Sequence, residues 1–79
     1  MSILKRVDWK VLECVILEAG FVFKAEKNEI RQYDHRTLKN LTVVIQKTNR
    51  KLDTSTIKMT LSRAKLSLKE YSKFLSVCQ

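Results

Sequence analysis

The sequence predicts an α+β fold in which a three-stranded antiparallel sheet is covered on one face by helices, in the order α-β-β-β-α-α. Two observations support it. The first segment and the last two carry apolar residues at the three- and four-residue spacing of amphipathic helices, and the middle of the chain has strand-forming segments joined by turn residues. A chain of 79 residues is long enough for one core, so residues 1–79 are predicted to form a single domain.

The first helix is predicted near residues 8–19. Asp8 is a candidate N-cap, and Gly20 stands where a residue in the left-handed conformation ends a helix. The apolar positions of this helix fall on one stripe, which comprises Val11, Leu12, Val15, Ile16 and Ala19.

A β-hairpin is predicted next. In the segment FVFKAE, side chains Phe21, Phe23 and Ala25 share one face of a strand, and Lys27-Asn28 forms the turn into EIRQYDHR. After a second connection, LTVVIQ is rich in β-branched residues and fits a central or well-covered third strand.

Two helices close the chain. The second helix is predicted over residues 54–65, with Asp53, Thr54 and Ser55 as alternative N-caps. A short last helix begins at a capping box formed by Ser67 and Glu70, and its apolar face comprises Leu68, Tyr71, Phe74 and Leu75. The predicted core comprises Leu12, Val15, Ile16, Phe21, Phe23, Tyr33, Val43, Ile57, Leu61 and Phe74.

Positive charge is unevenly distributed along the chain. The net charge is +8; residues 1–35 hold six Lys and Arg and six Asp and Glu, whereas residues 36–69 hold nine Lys and Arg and only Asp53. A one-sided basic region attracts polyanions, which makes nucleic acid the leading partner. The alternative is a charge that serves solubility alone.

The two cysteines have no metal-ligand spacing. Cys14 is interpreted as a buried thiol in the first helix and Cys78 as a loose thiol near the C-terminus. Neither a metal site nor a cofactor is expected. Because the apolar runs are too short for a signal peptide or a membrane span, a cytoplasmic protein with no membrane partner is predicted.

Several short strings occur in an order that resembles a known family. They are Glu18-Ala19-Gly20-Phe21, Gln32-Tyr33-Asp34-His35, Thr42-Val43, Thr56-Ile57-Lys58 leading to Leu61 and Ala64, and Leu66-Ser67-Leu68-Lys69-Glu70-Tyr71. Together they span nearly the whole chain and resemble the HicA family of toxin-antitoxin proteins. The resemblance implies a double-stranded-RNA-binding-like fold, endoribonuclease activity on messenger RNA, and an antitoxin protein as partner.

One position departs from that family. Its members carry Gly-Ser-His just after the hairpin turn, and the matching residues here are Asn28, Glu29 and Ile30. The resemblance implies that this histidine is the general acid or base, and an isoleucine cannot transfer a proton.

Two replacements for the missing histidine are considered. His35 is the only histidine, and its odd spacing from Ile30 places the two side chains on opposite faces of a regular strand. It replaces the family's histidine only if a bulge or the strand end re-aims it, and is otherwise structural. The other replacement is Glu29 as a base, with Arg31 or Lys27 stabilising the negative charge of the transition state. The alternative for these charged residues is ordinary cross-strand ion pairing.

Five basic residues are predicted to contact RNA phosphates. Lys58 and Lys65 lie on one face of the second helix, and Lys47, Arg50 and Lys51 lie in the loop that leads to its N-terminus. The alternative for the helix is a solvated face. The aromatic residues fall on core stripes, so recognition by backbone charge and duplex shape is favoured over base stacking.

Three functions follow from these observations. The first is a ribonuclease of the HicA type with a relocated proton-transfer group, and the second is an RNA-binding protein that does not cleave. The third is a protein-interaction module in which Ile30 extends an apolar patch that binds an antitoxin or a second copy of the chain, giving a homodimer.

Overall fold

A computed structural model describes residues 6–78 and confirms the predicted α+β class. The three strands form one antiparallel sheet in the order β1-β2-β3. Helices α1 and α2 pack against the sheet, and α3 packs on α1. The elements are α1 (Trp9–Glu18), β1 (Phe21–Lys27), β2 (Ile30–His35), β3 (Thr42–Gln46), α2 (Thr54–Arg63) and α3 (Leu68–Cys78).

Gly20 terminates α1 as predicted, with a positive φ of 104°. A Cβ atom at this position would also lie 3.1 Å from Nε2 of His35. Position 20 therefore requires glycine, both for its backbone conformation and for the close approach of the histidine ring.

At the other end of α1, Asp8 occupies the N-cap position, but its side chain makes no capping hydrogen bond.

The hairpin turn lies one residue later than predicted. Asn28 and Glu29 have φ values of 52° and 66°, and Lys27 pairs with Ile30, which is the geometry of a two-residue type I′ turn. Asparagine favours such a conformation, whereas glutamate does not. The cross-strand pairing therefore holds Glu29 in its left-handed conformation.

A bulge in β1 changes which residues face the helices. The register shifts between Phe23, which pairs with Tyr33, and Ala25, which pairs with Gln32. Because Gln32 and Tyr33 point to opposite faces, the predicted shared face of Phe21, Phe23 and Ala25 is wrong for Ala25. Phe23 is 47% exposed, so its predicted place in the core is also wrong.

The third strand, β3, is an edge strand, and the prediction of a central or well-covered strand is wrong. β2 occupies the centre of the sheet. Within β3, Val43 and Ile45 are buried, whereas Thr42, Val44 and Gln46 are exposed on the outer face of the sheet. Its β-branched composition reflects a half-buried surface and does not report a position within the sheet.

The core lies between the sheet and the helices and contains most of the predicted residues. Leu12, Val15, Ile16 and Ile57 are fully buried, which confirms the helical stripes. Phe74 is only partly buried. The other buried apolar side chains are Val7, Phe21, Tyr33, Val43, Ile45, Leu52, Leu61, Ala64 and Tyr71.

The capping box of the last helix is confirmed. The Glu70 amide donates to Ser67 Oγ at 3.1 Å, and Glu70 Oε1 accepts from the Ser67 amide at 3.0 Å. The helix has 11 residues, one more than α1, so it is not short as predicted. Leu68 is 46% exposed, and its predicted place on the apolar face is wrong.

Cys14 and Cys78 form a disulfide bond, so the prediction of two free thiols is wrong. Their Cα atoms are 5.9 Å apart although 64 positions separate them in the sequence. Packing of α3 on α1 brings them together, and no local pattern encodes that contact. Within residues 6–78, the structure contains no helix with the length and apolar character needed to cross a membrane.

Candidate functional site

The hairpin tip carries the position at which the resemblance implies a histidine. Ile30 is 46% exposed on the outer face of the sheet, paired with Lys27 on one side and Gln46 on the other. Glu29 is exposed in the turn, and its carbonyl accepts the Lys47 amide at 2.7 Å. The tip therefore presents the apolar side chain of Ile30 between Lys27 and Gln46, with the carboxylate of Glu29 beside it.

His35 lies at the other end of β2 and caps a loop. Its Nδ1 accepts the backbone amides of Thr37 at 3.2 Å and Leu38 at 3.0 Å, so the neutral ring carries its proton on Nε2. The ring stacks edge-on against Phe21, with 5.0 Å between the centroids, and Nε2 faces Gly20. These contacts give His35 a structural role in the β2–β3 connection.

Arg31 is held in a charged network on the helix side of the sheet. Its guanidinium lies 2.9 Å from Glu13 and 2.8 Å from Glu26, donates to the hydroxyl of Tyr33 at 3.0 Å, and covers the ring of Phe23 at 4.2 Å. The Tyr33 hydroxyl donates to Glu13. Burial, followed by the hydrogen bond to Glu13, raises the pKa of Tyr33 well above its usual value.

Lys47 belongs to the same network rather than to an open surface. Its ammonium lies 3.2 Å from Glu26 and 5.7 Å from the centroid of the Trp9 ring. The pKa of Glu26 is lowered, chiefly by the hydrogen bond from Lys47. A phosphate at Lys47 would have to compete with the Glu26 carboxylate.

The predicted catalytic residues do not form one site. Glu29 is exposed in the hairpin turn, and Arg31 is held on the helix side of the sheet. His35 lies at the opposite end of β2 from both. An acid-base pair must lie within hydrogen-bonding reach of the same substrate atoms. As their odd spacing predicts, Ile30 and His35 lie on opposite faces of the sheet. The bulge in β1 does not turn His35 toward the face of Ile30.

A concave surface lies beside the edge strand. We call it the β3–α2 cleft; it has a volume of about 490 Å³ and lies between β3, α2 and the loop over residues 48–53. Four cationic side chains line it, and Asp53, the one acidic side chain in the lining, pairs with Arg6 at 3.6 Å. The cations of this cleft are Arg6, Arg50, Lys51 and Arg63.

Two of these cations, Arg6 and Arg63, were not among the predicted phosphate contacts. Arg63 belongs to a stripe of α2 that lines the cleft and also includes Thr56, Met59 and Thr60. Met59, Thr60 and Arg63 follow Thr56 by three, four and seven residues. That helical spacing is visible in the sequence. Arg6 precedes α1 and reaches the cleft because the Val7 carbonyl accepts the Leu52 amide, a contact that no local pattern predicts.

The predicted lysine ridge on α2 is interrupted. The helix ends at Arg63, and Lys65 follows with a φ of 58°, so it does not continue the helical face of Lys58. The prediction of a helix reaching Lys65 is wrong because the left-handed residue redirects the chain toward α3. Lys58 and Lys65 are both exposed.

Apolar side chains are exposed next to these cations. Ile30 and Val44 lie side by side on the outer face of the sheet and line the cleft together with Met59, which is 51% exposed. A shallow depression on the outer face, lined by Ala25, Lys27, Asn28, Ile30, Gln32 and Val44, adjoins them. The cleft thus combines an apolar surface with basic side chains.

Comparison of the chain with protein-family models finds no match, and comparison with curated proteins finds none either.

Proposed function

We propose that this protein binds RNA through phosphate contacts, as a HicA-like protein whose cleavage activity is weak or lost. The observation that carries the proposal is a contrast in ion pairing. The carboxylates of Glu13, Glu26 and Asp34 pair with cations of the hairpin or of the loop after β3. No ion pair within residues 6–78 involves the basic side chains of Arg50, Lys51, Lys58, Arg63 and Lys65, and the same holds for Lys10, Lys27, Arg36, Lys39, Lys69 and Lys73.

Three cations without an ion pair among the described residues, Arg50, Lys51 and Arg63, line the β3–α2 cleft together. Such a surface attracts the regularly spaced phosphates of a duplex and releases their counterions on binding. No aromatic side chain lines the β3–α2 cleft, which favours recognition of backbone and shape over stacking of unpaired bases.

Loss of efficient cleavage is proposed from the residues at the hairpin tip and at the end of β2. Ile30 has no titratable group, Arg31 is held by two carboxylates, and the ring of His35 is used to cap a loop. Action on RNA implies a cytoplasmic location, where disulfide bonds are rare, whereas Cys14 and Cys78 are bonded in the structure. Binding is therefore best measured with reduced and with oxidised protein.

The test compares two double variants that lose the same charge. Arg50→Gln with Lys51→Gln removes cations of the cleft, and Lys69→Gln with Lys73→Gln removes exposed cations of α3. With a duplex of roughly 16 base pairs, the first pair should weaken binding and lower the slope of log affinity against log salt by somewhat less than about one unit per contact. The second pair should change the slope little.

Two outcomes would contradict the proposal. Failure of the unaltered protein to bind the duplex at low salt would remove RNA as its partner. Equal losses in the two double variants would assign binding to net charge and not to this surface.

A further inference from the structure

The outer edge of β3 presents backbone groups that have no partner within residues 6–78. The His35 amide donates to the Leu41 carbonyl at 3.0 Å and the Lys47 amide to the Glu29 carbonyl at 2.7 Å. In an antiparallel ladder the hydrogen-bonded pairs alternate, so Val43 and Ile45 direct their backbone groups toward β2. The amides and carbonyls of Thr42, Val44 and Gln46 therefore point away from the sheet, and no backbone group among residues 6–78 pairs with them.

The β3–α2 cleft runs beside these groups. Its lining includes Val44 and Gln46 from the edge strand and Met59 from α2. A strand added there would place alternate side chains beside Val44 and Gln46 on the outer face, and the intervening ones toward α2. The four cations of the cleft and its single carboxylate leave the surroundings basic.

We propose that an extended, acidic segment of a partner protein adds to β3 as a fourth strand in this cleft. Its backbone pairs with Thr42, Val44 and Gln46, apolar side chains cover Val44, and carboxylates pair with the cleft cations. Strand addition derives affinity from main-chain hydrogen bonds and specificity from alternate side chains. The proposal concerns a protein ligand and does not depend on RNA binding.

At the outward backbone groups of β3, charge and chemistry favour this occupant over two others. A second copy of the chain, also with a net charge of +8, would bring a second set of cleft cations against the first. An RNA phosphate matches the cations but not the outward carbonyls of Thr42, Val44 and Gln46, since both are hydrogen-bond acceptors. A peptide strand supplies donors as well as acceptors, and acidic side chains supply the opposite charge.

The probe is a blocked synthetic heptapeptide of alternating glutamate and valine, titrated into the full chain labelled with nitrogen-15. We expect saturable chemical-shift changes and slowed hydrogen exchange at the amides of Thr42, Val44 and Gln46, because these donors become bonded. Val43 and Ile45 are internal references, since their amides already pair with β2. Arg50→Glu with Lys51→Glu should weaken binding tenfold or more, whereas Lys69→Glu with Lys73→Glu should change it little.

Two matched peptides complete the test. A copy methylated on alternate backbone nitrogens cannot form the ladder on one edge, and a copy with lysine for glutamate has the wrong charge; each should bind at least tenfold more weakly. Strand addition is overturned if the glutamate peptide leaves the three amides unchanged, or if the methylated peptide binds equally well. Equal binding of the lysine peptide overturns the acidic specificity. If duplex RNA shifts these amides and the peptide does not, the cleft belongs to nucleic acid.

Discussion

At the scale of a single residue, Ile30 is the position at which the proposed loss of cleavage can be tested. The side chain of Ile30 is exposed beside Lys27, Gln46 and the shallow depression on the outer face, so a histidine fits there without a change in packing. Introduced at this position, an imidazole supplies proton transfer, while Lys27 can stabilise negative charge.

We expect Ile30→His to create ribonuclease activity, or to raise a weak activity by about 10²–10⁴-fold, the usual contribution of general acid-base catalysis. The measurement is cleavage of a labelled messenger RNA by purified reduced protein. The matched control is Ile30→Gln, which is polar but does not titrate. Strong cleavage by the unaltered chain that survives His35→Ala would argue against both a degenerate site and a relocated histidine.

Tyr71 illustrates the cost of a buried polar atom. Its side chain is 2% exposed, and its hydroxyl has no hydrogen-bond partner in the part of the chain that the structure describes. We expect Tyr71→Phe to raise the free energy of unfolding by about 1–3 kcal/mol, because an unsatisfied buried hydroxyl is removed while the ring is kept. Urea denaturation measures the change.

The matched control is Tyr33→Phe, which removes a hydroxyl that bonds both Glu13 and Arg31. This variant should lose stability, because Arg31 loses the hydroxyl to which it donates and Glu13 loses the hydroxyl from which it accepts, while both charges remain. A stability loss in Tyr71→Phe similar to that in Tyr33→Phe would mean that the Tyr71 hydroxyl has a partner.

At the scale of elements, the attachment of α3 to α1 depends on one cross-link and one apolar face. Tyr71 is buried, Phe74 and Leu75 are partly buried, and the disulfide joins Cys78 to Cys14 in α1. A cross-link restricts the unfolded chain more strongly as the enclosed loop lengthens. The 64-position separation makes this loop nearly the whole protein.

Reduction of the oxidised protein should therefore lower the free energy of unfolding by about 2–5 kcal/mol. Guanidinium denaturation with and without reductant measures the loss. The double variant Cys14→Ala with Cys78→Ala should show no response to reductant, which separates the cross-link from other effects. Equal stability with and without reductant would mean that the bond does not constrain the unfolded chain.

At the scale of the whole molecule, net charge is divided unequally between the two halves of the chain. The first half is electrically balanced, and five of its charged side chains are joined in the network around Arg31 and the pair between Lys24 and Asp34. The second half supplies the excess cations, and four cations from both halves line the β3–α2 cleft. Both proposed partners, RNA and an acidic strand, use this excess, so they are expected to compete for Arg50 and Lys51.

The sequence by itself determined the element order and most of the core. Periodic spacing identified the buried stripes of α1 and α2, Gly20 marked the end of α1, and Ser67 with Glu70 marked the start of α3. These features depend on residues within one or two turns of one another, where backbone preference and spacing act directly. The odd spacing of Ile30 and His35 likewise fixed their opposite orientations.

Only the tertiary structure decided which residues from distant segments meet. The bulge that turns Ala25 outward, the edge position of β3, the bond between Cys14 and Cys78, and the arrival of Arg6 in the cleft all follow from contacts between elements. The free energies of these contacts come from packing and pairing between distant segments, which local propensity does not predict. For the same reason Lys47, predicted to contact phosphate, is instead paired with Glu26.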